Sequence, residues 1–512
     1  SGEGLIALFM PRSISFLISI IAVWKIGKGY IPVDPELPAE RIESMLLDSN
    51  CGLLISDSST DSLSFNSWTG RHETFDHAVL LNEQFSHLPP NIGVSTDALS
   101  YTIFTSGSTG KPKGAQVEHI GALNHMLNKV IDLNMCQESR LVQNASQSFD
   151  ISVWQMFCPL ISGGTTYIYQ QDIVLDIKKF IRSIGSDEIT ILELVPSYLG
   201  LLLDNLTIEE HVFFQKLEFL MVTGETVDAS LLKRWFTIFP NIPVFNAYGP
   251  TEASDDITHH LIQRETLSSP VPIGKPLQNF DIYIVDPQLR ELPIGVKGEI
   301  LVTGVGVGRG YINDPVKTAK AFGTDQFPDI YKGRYYKTGD IGRFNEAGIV
   351  EFFGRKDKQV KVHGFRIELE EIEERLKNIT GIKNAVVLDC KSKDSQTFLV
   401  AHIESNQKLN EADIRAELKN YLPYYMLPGF YLFHEKLALN NSGKLDRQAL
   451  REIELDFTQE LNGVAASTET EKQLLALWQE TLKNNDFGIS DNYFQLGGDS
   501  FKAIQIAAKF GR

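Results

Sequence analysis

An α/β fold is what this sequence predicts: a large lobe with parallel-rich sheets, then a small α+β lobe, then a partial helical unit. Three observations lead there. Between Leu99 and Val302, short apolar runs (Leu99–Phe104, Ile189–Leu194, Phe219–Val222, Val244–Ala247) alternate with amphipathic stretches and Gly-rich turns, the pattern of strands joined by helical crossovers. From Gly354 the chain becomes more charged, and Glu368–Lys377 (ELEEIEERLK) reads as an exposed amphipathic helix. After Arg447 a polar stretch, Arg451–Thr470, precedes a fresh helix signal in Glu471–Leu482, carried by Leu474, Leu475, Leu477 and Trp478.

The 512 residues correspond to several structural units at roughly 150 residues each. The expected boundaries are 1–356 for the large lobe, 357–450 for the small lobe, 451–467 for a linker and 468–512 for the last unit. At about 45 residues that last unit is near the lower size limit for unaided folding, and is expected to be truncated. The chain opens on Ser1 with helix-like sequence close behind, as expected of a piece of a longer polypeptide.

Composition narrows the function. Hydrophobic residues at 43% and charged residues at 22% are ordinary for a globular protein. A net charge of -17 disfavours nucleic acid and anionic membrane as partners, since both are negative. The apolar run Phe16–Trp24 ends at Lys25 and is shorter than the ~20 residues a bilayer requires; it reads as a buried helix. Cys51, Cys136, Cys158 and Cys390 lie far apart, so neither a zinc knuckle nor a disulfide framework is indicated, and a cytoplasmic location is expected.

The segment Tyr101–Gly114, YTIFTSGSTGKPKG, runs a hydrophobic strand into a loop of hydroxyls and glycines with two lysines. Such a loop can present N–H groups and hydroxyls to phosphate oxygens. It is not a P-loop, because Thr105 stands where the first Gly belongs and Pro112 follows Lys111. Standing alone it would equally be a surface turn.

Other segments follow in order, and together they resemble the adenylate-forming superfamily of acyl-CoA synthetases, luciferases and peptide-synthetase adenylation domains. Tyr101–Gly114 resembles its phosphate-binding signature, which implies nucleotide contacts by Thr105, Ser106, Gly107, Ser108, Thr109, Gly110 and Lys113. Asn246–Glu252, NAYGPTE, resembles the next one. By that resemblance Asn246, Ala247, Tyr248 and Gly249 line the nucleotide, Tyr248 stacks on adenine, Thr251 meets phosphate and Glu252 holds Mg²⁺, which prefers hard oxygen ligands. Tyr336–Asp340, YKTGD, resembles the motif whose aspartate, here Asp340, binds the ribose hydroxyls.

Gly354–Glu373 resembles the joining segment, in which Arg355 reaches the ribose and Asp357 is the hinge. Asn440–Arg447, NNSGKLDR, resembles the last adenylation signature, with Lys444 as the catalytic lysine; Ser442 stands where the family usually has Asn. Thr105 and Glu252 join Lys444 in the implied catalytic set.

Two segments resemble the nonribosomal peptide synthetase branch: Gly29–Asp34, GYIPVD, and Leu496–Ser500, LGGDS. The second resembles a carrier-domain attachment site and implies 4′-phosphopantetheine on Ser500. The resemblance implies ATP-dependent formation of an aminoacyl-AMP and its transfer to that thiol. The implied partners are adjacent synthetase domains, such as a condensation domain, in cis or in trans, and a phosphopantetheinyl transferase. An acyl- or aryl-acid ligase of the same fold, or a non-catalytic nucleotide-binding scaffold, are the competing readings.

Phe149–Trp154, FDISVW, begins the implied substrate pocket, with Asp150 pairing the α-ammonium; Asp150 would otherwise be a helix N-cap. The pocket continues through Ile151, Trp154, Glu193, Met221, Thr223, Ala247, Asp255 and Asp256, with Lys444 completing it. Glu193, Asp255 and Asp256 are acids whose burial costs several kcal/mol each unless a cation or proton compensates. A cationic side chain such as arginine, ornithine or lysine would do so, and a polar, uncharged substrate beside a protonated acid also fits.

Overall fold

The computed structural model describes residues 4–58, 60, 64–75, 88, 90, 92–107, 110–324, 333–391, 397–407, 409–438, 445–453, 463–482, 484–491, 493, 496, 498, 502, 506 and 510. The chain divides into two compact units: Ser1–Thr105 with Pro112–Gln170 and Ile181–Asp357, and Ser106–Lys111 with Gln171–Phe180 and Lys358–Arg512. Among the described residues no helix is long and apolar enough to cross a membrane.

The first unit holds three sheets. In one, the strands run Gly310–Tyr311, Lys113–Glu118, Leu99–Thr105, Gly29–Val33, Leu5–Phe9, Leu53–Asp57 and Arg71–Phe75. Its last five strands are parallel, and Lys113–Glu118 turns back antiparallel on Leu99–Thr105. The helix Ile14–Lys25 starts where Ser13 accepts from the Phe16 amide at 3.1 Å, and buries Phe16, Ile20 and Val23. That is the buried helix expected from Phe16–Trp24.

The second sheet positions the site. Its order is Lys275–Pro276, Thr258–Ile262, Val244–Tyr248, Phe219–Val222, Ile191–Leu194, Arg140–Gln143 and Thr165–Ile168. Ile191–Leu194, Phe219–Val222 and Val244–Tyr248 are parallel and in register, with Met221 opposite Glu193 on one side and Phe245 on the other. Parallel strands are covered on both faces; the helix Ile151–Ser162 and the helix His119–Asp132 pack against each other in this unit. His119–Asp132 buries Ala122, His125, Met126 and Lys129, residues at helical spacing on one face.

The third sheet is antiparallel, Phe280–Val285, Gly298–Gly304, Arg334–Phe344 and Phe322–Thr324, with Val350–Arg355 also paired to Arg334–Phe344. That pairing sets Asp340 opposite Arg355.

In the second unit, Gln359–Val362 and Phe365–Glu368 form a hairpin, and Asn384–Lys391, Thr397–Glu404 and Phe430–His434 a three-stranded sheet. The helix Leu369–Lys377 is less exposed than expected: Glu371 and Glu373 are buried beside Leu369, Ile372 and Leu376. The reason is pairing, since Glu373 accepts from the Val387 amide at 2.9 Å and from Arg447. The helix Glu469–Leu482 begins at a capping box, in which the Glu471 amide donates to Thr468 Oγ1 at 3.2 Å and the Glu471 carboxylate accepts from the Thr468 amide at 2.8 Å.

Candidate functional site

Two groups of side chains meet at the C-terminal ends of the parallel strands, where open α/β sheets bind ligands. The first follows Val244–Tyr248. The Tyr248 phenol donates to Asp340 Oδ2 at 2.6 Å, and Arg355 Nη1 donates to Asp340 Oδ1 at 2.7 Å. Arg355 turns its other edge to Asp357, with Nε and Nη2 each 2.7 Å from a carboxylate oxygen. Gly339 makes room for this: its φ is +76°, and a Cβ there would lie 2.8 Å from Arg355 Nη2.

Beside it, Glu252 is buried, accepting from the Tyr311 hydroxyl at 2.6 Å with the Lys113 ammonium 3.5 Å away. Lys113 also lies 5.1 Å from the Tyr311 ring centre. A buried carboxylate offers the hard oxygen ligand that Mg²⁺ prefers. Asn246 serves the fold, its amide donating to the Pro272 carbonyl at 2.7 Å. Thr105 Oγ1 is buried with no hydrogen-bond partner among the described residues.

The second group is the expected substrate pocket, where Asp150, Trp154, Glu193, Met221, Thr223, Ala247, Asp255 and Asp256 are all buried and Ile151 partly so. Asp150 caps the helix Ile151–Ser162, accepting from the Ile151 amide at 3.0 Å. Burial raises its carboxyl above the usual range, a shift that a neighbouring ammonium would reverse. Asp255 and Asp256 are thrown inward by a tight loop: Ser254 and Asp255 have φ of +65° and +85°, uncommon for residues other than glycine. Gly249 makes that loop possible, because a Cβ would fall 1.8 Å from the Asp255 carbonyl oxygen.

The acids are not alone. Lys129, fully buried, reaches in from the helix His119–Asp132 and pairs with Asp256, 3.6 Å from Glu193 Oε1, 2.7 Å from Met221 Sδ and 4.4 Å from the Trp154 ring centre. His125, one turn earlier, sets Nε2 3.0 Å from Asp255 Oδ2. Gln155 donates to Glu193 Oε2 at 2.9 Å. His259 bridges Asp132, at 2.7 Å, and Asp256, at 3.5 Å.

This environment drives the acids apart. Burial would raise Asp256, but Lys129 and then His259 hold it well below the ordinary range. Burial, then the charge of Asp256, lifts Asp255 well above it. Burial pushes Glu193 up to about 7 against the pull of Lys129, and burial followed by Lys129 pushes His125 down to about 3. Asp256 and Lys129 are therefore an ion pair, while burial holds the Asp255 and Glu193 carboxyls toward the protonated form. His125, Asp255 and Asp256 bring ligand atoms within 4.8 Å of one another; a metal ion there would compete with the ammonium already on Asp256.

Comparison with known proteins gives the family. The family model described as AMP-binding enzyme matches residues 2–312, and the one described as phosphopantetheine attachment site matches 472–512. The chain belongs to the AMP-binding enzyme family. It is an adenylation domain followed by a carrier domain, an adenylation (ligase) module of the nonribosomal peptide synthetase type. It is 37% identical to gramicidin S synthase 1 of Brevibacillus brevis over 99% of this chain and 45% of the relative. Tyrocidine synthase 1 of Brevibacillus parabrevis is 36% identical over 99% of this chain and 46% of the relative. The chain thus spans less than half the length of these curated relatives.

Among solved structures, an artificially fused adenylation–PCP di-domain from Klebsiella oxytoca has a TM-score of 0.74 at 26% identity, covering 84% of this chain and 83% of that one. A synthetase protein with adenylation and PCP domains, bound to a vinylsulfonamide inhibitor, has the same fold at a TM-score of 0.80, with 24% identity over 99% of this chain and 83% of that one.

In this adenylation domain the residues expected to meet the ribose, Asp340 and Arg355, are in contact, as are Lys113 and Glu252. Ser106 and Gly107 belong to the second unit, where Ser106 Oγ donates to the Arg366 carbonyl at 2.8 Å and the Gly107 amide to Glu371 Oε2 at 3.0 Å. Gly110 is also there, with φ of +75°. Ser108, Thr109, Lys444 and Ser500 lie outside the described residues. Sequence reasoning missed Lys129, His125, Gln155, His259 and Tyr311. A signal for Lys129 exists: it occupies the apolar stripe of Ala122, Met126 and Leu133, where a lysine is out of place unless paired.

Proposed function

We propose that this module activates an amino acid whose side chain carries one positive charge, of the ornithine, lysine or arginine kind, and loads it onto the pantetheine thiol at Ser500. What supports the substrate reading is an excess of buried acid: Glu193, Asp255 and Asp256 are buried around the Lys129 ammonium, and Glu193 Oε1 and Asp255 Oδ2 accept no hydrogen bond among the described residues. The acids outnumber the lysine, which leaves negative charge to meet a substrate cation. The amino-acid ammonium meets Asp150, the remaining buried carboxylate of the pocket.

In the first step the substrate carboxylate oxygen attacks the α-phosphorus of ATP, the bond to the β-phosphate oxygen breaks, and pyrophosphate leaves. Tyr248 offers its ring to adenine while Asp340, held by Arg355, accepts from the ribose hydroxyls. Glu252 is the residue that would hold Mg²⁺, whose charge offsets the negative charge gathering on the phosphates. Lys113 and, by its place in the sequence, Lys444 bring further positive charge to the same region. In the second step the thiol sulfur attacks the acyl carbon and AMP leaves, after rotation about Asp357. A phosphopantetheinyl transferase supplies the thiol arm, and neighbouring synthetase domains receive the thioester.

The test is ATP–pyrophosphate exchange with ornithine, lysine, arginine, glutamine, leucine, a fatty acid and an aryl acid. A cationic amino acid is expected to give the highest kcat/KM. Preference for leucine would overturn the cationic assignment, and exchange with only the fatty or aryl acid would overturn amino-acid activation. Ser500→Ala should keep exchange and lose thioester loading, whereas Lys444→Ala should slow exchange at least a hundredfold or so, the scale of losing a transition-state charge partner.

A further inference from the structure

The pocket contains a cation of its own. Lys129 is fully buried, and its ammonium touches four residues of the proposed side-chain pocket: Asp256, Glu193 Oε1 at 3.6 Å, Met221 Sδ at 2.7 Å and the Trp154 ring at 4.4 Å. Burial of such a charge is tolerated because the two carboxylates and the aromatic face compensate it, and all of these partners belong to the proposed side-chain pocket. We infer that Lys129 is a specificity-determining residue: by pairing with Asp256 and facing Glu193 it offsets part of the pocket's negative charge, and so sets how much positive charge the pocket accepts from the substrate side chain. This rests on the pocket reading proposed above.

Charge counting gives the consequence. Among Lys129, Asp256 and Glu193 the acids outnumber the base, so a cationic side chain is favoured over a neutral one. Removing Lys129 frees a second acid and should favour cations further. Removing the Asp256 charge turns Lys129 wholly toward Glu193 and should disfavour them. A residue of purely structural importance would lower all substrates together.

The experiment measures kcat/KM for ornithine and glutamine by pyrophosphate exchange in the wild type, Lys129→Met, Asp256→Asn and the double variant. The ornithine-to-glutamine ratio is expected to rise about tenfold or more in Lys129→Met and fall about tenfold or more in Asp256→Asn, the scale of one charge-assisted contact. In the double variant it should return toward the wild-type value. A ratio unchanged within about twofold in both single variants, with rates falling in parallel, would overturn the proposal. Should Lys129→Met fail to fold, Asp256→Asn and the double variant decide it by the same criterion. Wild-type preference for a neutral amino acid would overturn the cationic substrate alone, since the directions of the ratio still test Lys129; activation of no amino acid would overturn both.

Discussion

Tyr248 and Asp340, 92 residues apart in sequence, share a buried hydrogen bond of 2.6 Å, and Arg355 holds the other Asp340 oxygen. The carboxylate is thereby oriented before any nucleotide arrives, and such preorganisation lowers the cost of binding.

Asp340→Asn should therefore raise KM for ATP about ten- to a hundredfold, the scale of losing charge-assisted bonds, with KM for the amino acid little changed. Tyr248→Phe removes one neutral-donor bond and should raise it by up to about tenfold. Exchange kinetics at varied ATP check both, and an unchanged KM in Asp340→Asn would remove Asp340 from the nucleotide site.

For Glu252 the expected effect is on metal dependence. Glu252→Gln keeps an acceptor for Tyr311 but loses the anion, so the Mg²⁺ concentration giving half-maximal exchange should rise about tenfold or more. Tyr311→Phe should shift it by only a few-fold. Identical Mg²⁺ titrations in wild type and Glu252→Gln would assign the metal to another residue.

Glu193 makes a prediction about pH. Its carboxyl is raised to about 7 by burial, so the folded state holds a proton that the unfolded chain gives up near pH 4 to 5. Stability from this group is full below the unfolded value and is lost as pH rises through about 7. The Tm of Glu193→Gln relative to wild type should thus rise between pH 5 and pH 8. For the wild type, kcat/KM for ornithine relative to glutamine should increase over the upper part of that interval, as Glu193 ionises. A flat ratio would place Glu193 away from the substrate cation.

Asp357 has two separable parts. Its carboxylate grips Arg355 through two 2.7 Å bonds, while its backbone lies where the first compact unit ends. Asp357→Asn should affect KM for ATP modestly and leave thioester formation intact. Asp357→Pro, which fixes φ, should slow thioester loading at least tenfold beyond its effect on exchange, the scale of a hindered conformational step. Equal losses in both steps would contradict a hinge role.

The sequence by itself located the strands at Leu99–Phe104, Ile189–Leu194, Phe219–Val222 and Val244–Ala247, the buried helix at Phe16–Trp24 and the position of the carrier segment, because each is encoded by neighbours within a few residues. It also located the acids Glu193, Asp255 and Asp256, since a chain position is enough to name them. Their state was decided only by the tertiary structure. Lys129 lies 64 residues from Glu193 and 127 from Asp256 along the chain, and nothing local marks it as their partner. Packing of the helix His119–Asp132 in the first unit brings the three together, and electrostatic energy depends on that separation in space and on exclusion of water. A count of carboxylates in sequence therefore gives three buried negative charges, whereas the folded protein pairs Asp256 with Lys129, sets Asp255 beside His125 and raises the Asp255 and Glu193 carboxyls by burial.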